Sequence, residues 1–161
     1  MTNRSVLIPF KKHQHNHQSC VKTALAEAQA ACNESGLRLT ETRRQVLELV
    51  WGSHAPVKAY DILEQLHAVN PKAVPPTVYR ALEFLQNAGL VHRIESLNAY
   101  VGCGSPGEPH VGQFLICTMC GAVAEINEPK ITELLSEQAA QLGFATEQQL
   151  VELKGLCPQC S

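Results

Sequence analysis

An α+β fold in two parts is predicted by three observations in this 161-residue chain. Up to Gly89, apolar residues recur at helical spacing in successive segments; beyond it the period changes to two. In the last third, two Cys-x-x-Cys pairs, Cys117/Cys120 and Cys157/Cys160, are separated by 36 residues. A helical front that ends in a hairpin, followed by a smaller α/β segment closed by cysteines, accounts for all three.

Residues 1–18 are polar, carry His13, His15 and His17, and are expected to form a mobile tail. An Ala-rich segment from Val21 to Ser35 predicts a first helix, stopped by Gly36. Thr40 is a candidate N-cap for a second, whose apolar stripe is Val46, Leu47, Leu49 and Val50 and which ends near Gly52. A third spans about Ala59 to Val69, closed by Pro71. Pro75-Pro76-Thr77 opens a fourth, because proline is tolerated in a first turn, and Val78, Leu82 and Leu85 follow at 3.6 periodicity. Leu90 to Ile94 and Ala99 to Cys103 read as paired strands. Three helices and a hairpin are the order of a winged helix-turn-helix, so residues 19–102 are expected to be a winged-helix DNA-binding domain.

Residues 103–112, rich in glycine and proline, read as a hinge. In 113–161, strands are expected near Phe114 to Ile116, Ala122 to Ile126 and Gln149 to Lys154, with a helix from Pro129 to Leu142. So short a segment is expected to need support beyond its core. The two Cys-x-x-Cys pairs supply it. Each loop presents two thiolates to one ion, and Zn²⁺ has no ligand-field preference opposing a Cys₄ cage, so Cys117, Cys120, Cys157 and Cys160 are predicted to hold a structural zinc. A dithiol redox protein needs one such pair on a βαβ scaffold, whereas two matched pairs stand on short loops here.

Composition constrains location and partners. No apolar run reaches transmembrane or secretory length, which predicts a cytoplasmic protein with reduced thiols and no membrane partner. The net charge of −2 hides an asymmetry. Residues 1–102 carry eleven Lys/Arg against eight Asp/Glu, and residues 103–161 two against seven. The front half can meet a polyanion; the back half cannot.

Thr77-Val78-Tyr79-Arg80-Ala81-Leu82 places Thr77, Tyr79 and Arg80 at the start of a helix whose apolar side is occupied by Val78, Leu82 and Leu85. Arginine binds guanine O6/N7 bidentately, and Tyr and Thr hydroxyls reach phosphate. Pro-Pro-Thr-Val-Tyr-Arg-Ala-Leu, then a wing, then Cys-x-x-Cys-Gly at Cys117 to Gly121, resembles the ferric uptake regulator family of bacterial metal-dependent repressors over about residues 21–160. Val91-His92-Arg93-Ile94-Glu95-Ser96, Tyr100-Val101-x-Cys103 and Cys120-Gly121-Ala122-Val123 resemble its zinc-sensing branch. The resemblance implies a homodimer paired through residues 113–161, an AT-rich inverted-repeat operator in double-stranded DNA, and repression of zinc-uptake genes by the zinc-loaded protein. It also implies that Tyr60, at the start of the third helix, assists base reading. Just ahead of the first Cys-x-x-Cys the chain has only His110, so the histidine-rich extra site of the iron-sensing branch is not expected.

Outside the cage, the metal-binding groups near the hinge are His92, Cys103, His110 and several glutamates. A two-residue loop at Leu97-Asn98 would set His92 directly opposite Cys103, with Cβ atoms about 4.5 to 5.5 Å apart. His110 follows the hinge, and Glu125 lies on the strand after Cys120. The resemblance implies regulatory ligands at His92, Cys103, His110 and Glu125, hence two zinc ions per subunit, one structural and one regulatory. A thiolate suits Zn²⁺ better than Fe²⁺ or Mn²⁺. Cys20 and Cys32 read as packing or surface thiols.

No enzyme is expected, and no small-molecule substrate. A zinc deaminase needs His-x-Glu and Pro-Cys-x-x-Cys; here Pro158 follows Cys157 and no His-x-Glu occurs. The competing readings are a family member sensing another metal or peroxide, and a zinc-ribbon adapter that binds protein, which would leave Thr77 to Arg80 unexplained.

Overall fold

The computed structural model describes residues 5–11 and 16–161, which form two compact units. One comprises residues 11–108, the other residues 1–10 with 109–161. The stretch read as a hinge, 103–112, spans this division. His13 and His15 lie outside the described residues.

In the first unit α1 (His17–Glu34) begins four residues earlier than the alanine-rich pattern suggests. Asn16 is the reason: its side-chain oxygen accepts from the backbone N–H of Gln18 and Ser19, meeting donors a helix start leaves orphaned. Gly36, at φ +67°, ends the helix. Next come α2 (Glu41–Trp51), α3 (Ala59–Leu66) and α4 (Pro75–Asn87). The Thr77 hydroxyl accepts from the backbone N–H of Val74 at 3.1 Å, closing the first turn of α4. Val46, Leu47 and Val50 of α2, Ile62 and Leu66 of α3, and Val78, Leu82 and Leu85 of α4 form one buried core.

The hairpin pairs β2 (Val91–Ile94) with β3 (Ala99–Gly102). Val57 bridges Tyr100 through two backbone hydrogen bonds of 2.9 Å, tying the loop after α2 to the wing. The hairpin register differs from the expected one. A single 3-10 turn over Glu95–Leu97 and Asn98 in the left-handed region, φ 47°, replace the two-residue loop, a conformation asparagine tolerates better than most residues. His92 therefore faces Val101, not Cys103.

The second unit is a four-stranded sheet in the order β1-β5-β4-β6. β4 (Gly112–Cys117) pairs antiparallel with β5 (Val123–Ile126) and parallel with β6 (Leu150–Gly155). α5 (Pro129–Gln141) connects β5 to β6, with the Glu128 side chain capping its start at Lys130 N. Gln113, fully buried, takes the Glu128 N–H and donates to the Glu128 carbonyl and Thr132 hydroxyl, which fastens α5 to β4.

The fourth strand corrects the expectation of a mobile tail. β1 (Val6–Ile8) lies antiparallel against β5, with Asn127 N–H donating to the Ser5 carbonyl and the Ser5 hydroxyl to Glu128. Pairing Val6–Ile8 with this open sheet edge satisfies backbone groups of β5 and half-buries Leu7 and Ile8, while Val6 stays exposed.

Candidate metal centres and nucleic-acid interface

The parallel pairing of β4 with β6 brings Cys117 beside Gly155, so both Cys-x-x-Cys loops emerge at the same end of the sheet. The first loop folds back through Gly121 N–H to the Cys117 carbonyl, Gly121 taking φ +74°. In the second, the N–H groups of Cys160 and Ser161 donate to the Cys157 carbonyl. The four Sγ atoms all lie within 4.8 Å of one another, and Cys120 and Cys157 sulfurs are 3.8 Å apart. A tetrahedron with Zn–S bonds of about 2.3 Å has edges of about 3.8 Å, so the donor set fits zinc.

Electrostatics favour a cation at this point. The Cys117 thiol is held down to about 6, first by the N–H of Cys120 and then by that of Cys157. Cys160 is pushed up to about 12 by its hydrogen bond with the Cys157 sulfur, by burial and by the neighbouring thiols. One thiolate forms readily and opposes the next, and a dication removes that conflict.

In the same unit, His110 Nε2 lies 2.8 Å from Glu125 Oε1, with side-chain exposures of 4 % and 2 %. Glu125 stands on β5 opposite Phe114. A carboxylate at that depth is tolerated only with a partner, and imidazole and carboxylate are both metal ligands.

In the other unit, His92 on β2 and Cys103 just beyond β3 share a face of the wing. The Cys103 N–H donates to the Leu90 carbonyl at 3.0 Å, so Cys103 sits across from Leu90, two positions from His92. The register change is by two, and strand side chains alternate with period two, so the pair becomes diagonal neighbours on an unchanged face. The Ser105 N–H points at Cys103 Sγ, 3.4 Å away. Cys32, by contrast, is a buried core residue, and Cys20 is half-buried, 3.1 Å from Lys11 Nζ.

α4 divides cleanly between core and solvent. Val78, Ala81, Leu82 and Leu85 are buried. Tyr79 is 57 % exposed, Arg80 is exposed and Thr77 is half-buried with its hydroxyl in the cap. Tyr60, in the first turn of α3, is 75 % exposed. Tyr60 and Tyr79 thus present aromatic surface to water on helices whose opposite faces are packed.

Residues 34–154 match the ferric uptake regulator family. The chain belongs to this family. Among its family relatives, the zinc uptake regulation protein of Escherichia coli (strain K12) is 41 % identical over 137 residues, covering 84 % of this chain and 80 % of that one. The peroxide operon regulator of Bacillus subtilis (strain 168) is 29 % identical over 137 residues, covering 85 % and 93 %. A zinc uptake regulator solved in complex with zinc and DNA superposes at a TM-score of 0.82 with 39 % identity, covering 86 % of this chain and 93 % of the other.

Sequence reasoning missed one feature of this family member. Leu134 and Leu135 on α5, Leu142 and Phe144 after it, and Leu153 and Leu156 on or after β6 are all exposed, and α5 has no buried residue. Ile131, Leu134 and Leu135, at i, i+3 and i+4 in α5, carried that signal.

Proposed function

We propose that this protein is a zinc-responsive transcriptional repressor that binds an AT-rich inverted-repeat operator as a dimer and shuts off zinc-uptake genes. One observation carries the reading: the exposed Tyr60, Tyr79 and Arg80 belong to the same small unit whose wing bears His92 and Cys103. Operator and effector ligands thus meet on one domain. Arg80 reads a base edge, Tyr79 and Thr77 contact backbone, and Tyr60 supports them from α3.

Cys117, Cys120, Cys157 and Cys160 hold a structural zinc. His92 and Cys103 from one unit, with His110 and Glu125 from the other, hold a regulatory zinc, giving two ions per subunit. The resemblance to the zinc-sensing branch and the pairing of metal-binding groups within each unit, His92 with Cys103 and His110 with Glu125, support that set. Bound zinc supplies a four-coordinate crosslink, and a ligand set drawn from both units makes its affinity depend on their arrangement. Only such differential affinity converts free zinc into tighter operator binding. The higher identity to a zinc regulator than to a peroxide regulator, and the Cys103 thiol, favour zinc over other effectors.

The exposed leucines of α5 and β6 support a homodimer formed through residues 113–161, since burying them against a second copy would remove apolar surface from water. Among the described residues no helix is long and apolar enough to cross a membrane, consistent with a cytoplasmic regulator.

The test is operator affinity at buffered free Zn²⁺, Fe²⁺ and Mn²⁺. Tightening by zinc at lower free concentration than by the other ions is expected. Equal affinity with and without chelator would overturn the reading.

A further inference from the structure

The chain has one tryptophan, Trp51, the last residue of α2. Its indole lies against Gly102, the last residue of β3, so closely that a Cβ there would overlap Cε2, Cζ2 and Nε1 of the ring. Glycine at 102 is therefore required by the approach of the indole to the strand backbone. The residue that follows is Cys103. Gly102 pairs with Val91 and the Cys103 N–H is held by Leu90, so the backbone carrying the thiol is gripped by the β2 side of the hairpin and by the indole. Trp51 and Cys103 also line one narrow crevice with Ala28, Leu47 and Leu90. The same helix, α2, packs directly on α4.

We propose that Trp51 is a positioning residue for Cys103, and that through it occupancy of the regulatory site is felt by α2 and the DNA-reading helix α4. This rests on the assignment of Cys103 as a regulatory ligand. A bulky ring wedged on a side-chain-free backbone leaves little freedom at the next residue, and a ligand fixed in advance binds metal with a smaller ordering cost. Conversely, any shift of Cys103 on binding zinc displaces the indole, making Trp51 a built-in optical reporter.

The experiment uses the full-length protein with its Cys₄ zinc retained and titrates buffered Zn²⁺, following tryptophan emission and, in parallel, metal stoichiometry. Wild-type emission is expected to change in step with the second zinc equivalent and to stay constant in Cys103→Ser. Trp51→Ala should weaken binding of that second equivalent by about tenfold, in the range seen when groups supporting a metal ligand are removed, and Trp51→Phe by less. Gly102→Ala should weaken it as well by displacing the ring, but add less than twofold in the Trp51→Ala background. That non-additivity in zinc affinity would not arise from two independent losses of stability. Unmoved wild-type emission during Cys103-dependent binding of the second equivalent, or Trp51→Ala and Trp51→Phe both within twofold of wild type, would overturn the positioning role and leave the ligand assignment standing. Normal second-equivalent binding by Cys103→Ser would instead remove the ligand assignment on which the inference rests.

Discussion

Residues 11–108 bury a continuous core drawn from four helices and a hairpin, Val46, Leu66, Leu82 and Leu85 among its members. In the unit formed by residues 1–10 and 109–161, the buried apolar side chains among the described residues are Phe114, Ile116, Val123 and Ala124, beside Cys117 and Cys157. The first unit is a domain stabilised by hydrophobic burial in the ordinary way. The second has a smaller core, with Cys117 and Cys157 buried in it and Leu134, Leu135, Leu142, Leu153 and Leu156 left exposed. A core that small gains more from any bound metal or partner than a large one does.

The strongest way to break the comparison is Cys117→Ser. Metal-binding energies at structural zinc sites reach about 10–16 kcal/mol and count as folding energy. The variant is expected to lose zinc and dimerisation in metal analysis and sedimentation, while helical circular dichroism from residues 11–108 largely persists. A fully dimeric, stable variant would show that the second unit does not depend on its cysteines.

Leu82→Ala probes the opposite unit. Leu82 is buried at the centre of the helical core, and truncation of such a side chain costs about 2–5 kcal/mol. Denaturant unfolding of the helical signal should shift by that amount with zinc content unchanged. Loss of zinc in parallel would mean that the two units do not hold themselves together independently.

Arg80→Ala should disturb neither unit. Removing one bidentate base contact is expected to cost about 1–3 kcal/mol of operator affinity and relax preference at one base position, with stability and zinc content as in wild type. An unchanged footprint would assign reading to another element.

How far the sequence foretold all this differs with the range of the interactions involved. The four helices were legible because their caps and stops, Gly36, Pro75 and Gly89, act within a few residues. The thiol cage was legible because each Cys-x-x-Cys is a local turn and two such turns imply a shared ion. The hairpin register was not, since Asn98 adopts a left-handed conformation that no period-two pattern announces; the shared face of His92 and Cys103 survived because the error was an even number of residues. β1 escaped notice because a three-residue apolar patch has meaning only against β5, over a hundred residues away. The short contact of His110 with Glu125 likewise depends on where the loop before β4 falls against β5. The Trp51 and Gly102 contact depends on tertiary packing alone.

The central claim, that zinc tightens operator binding through ligands that include the wing, is tested most directly by operator affinity measured against buffered free zinc for wild type and Cys103→Ser, with metal stoichiometry taken on the same samples. Wild type should tighten on its operator as zinc rises, and Cys103→Ser should keep its Cys₄ zinc, remain a folded dimer and show a flat response. A variant that retains the wild-type zinc response and binds the same number of ions would contradict the account.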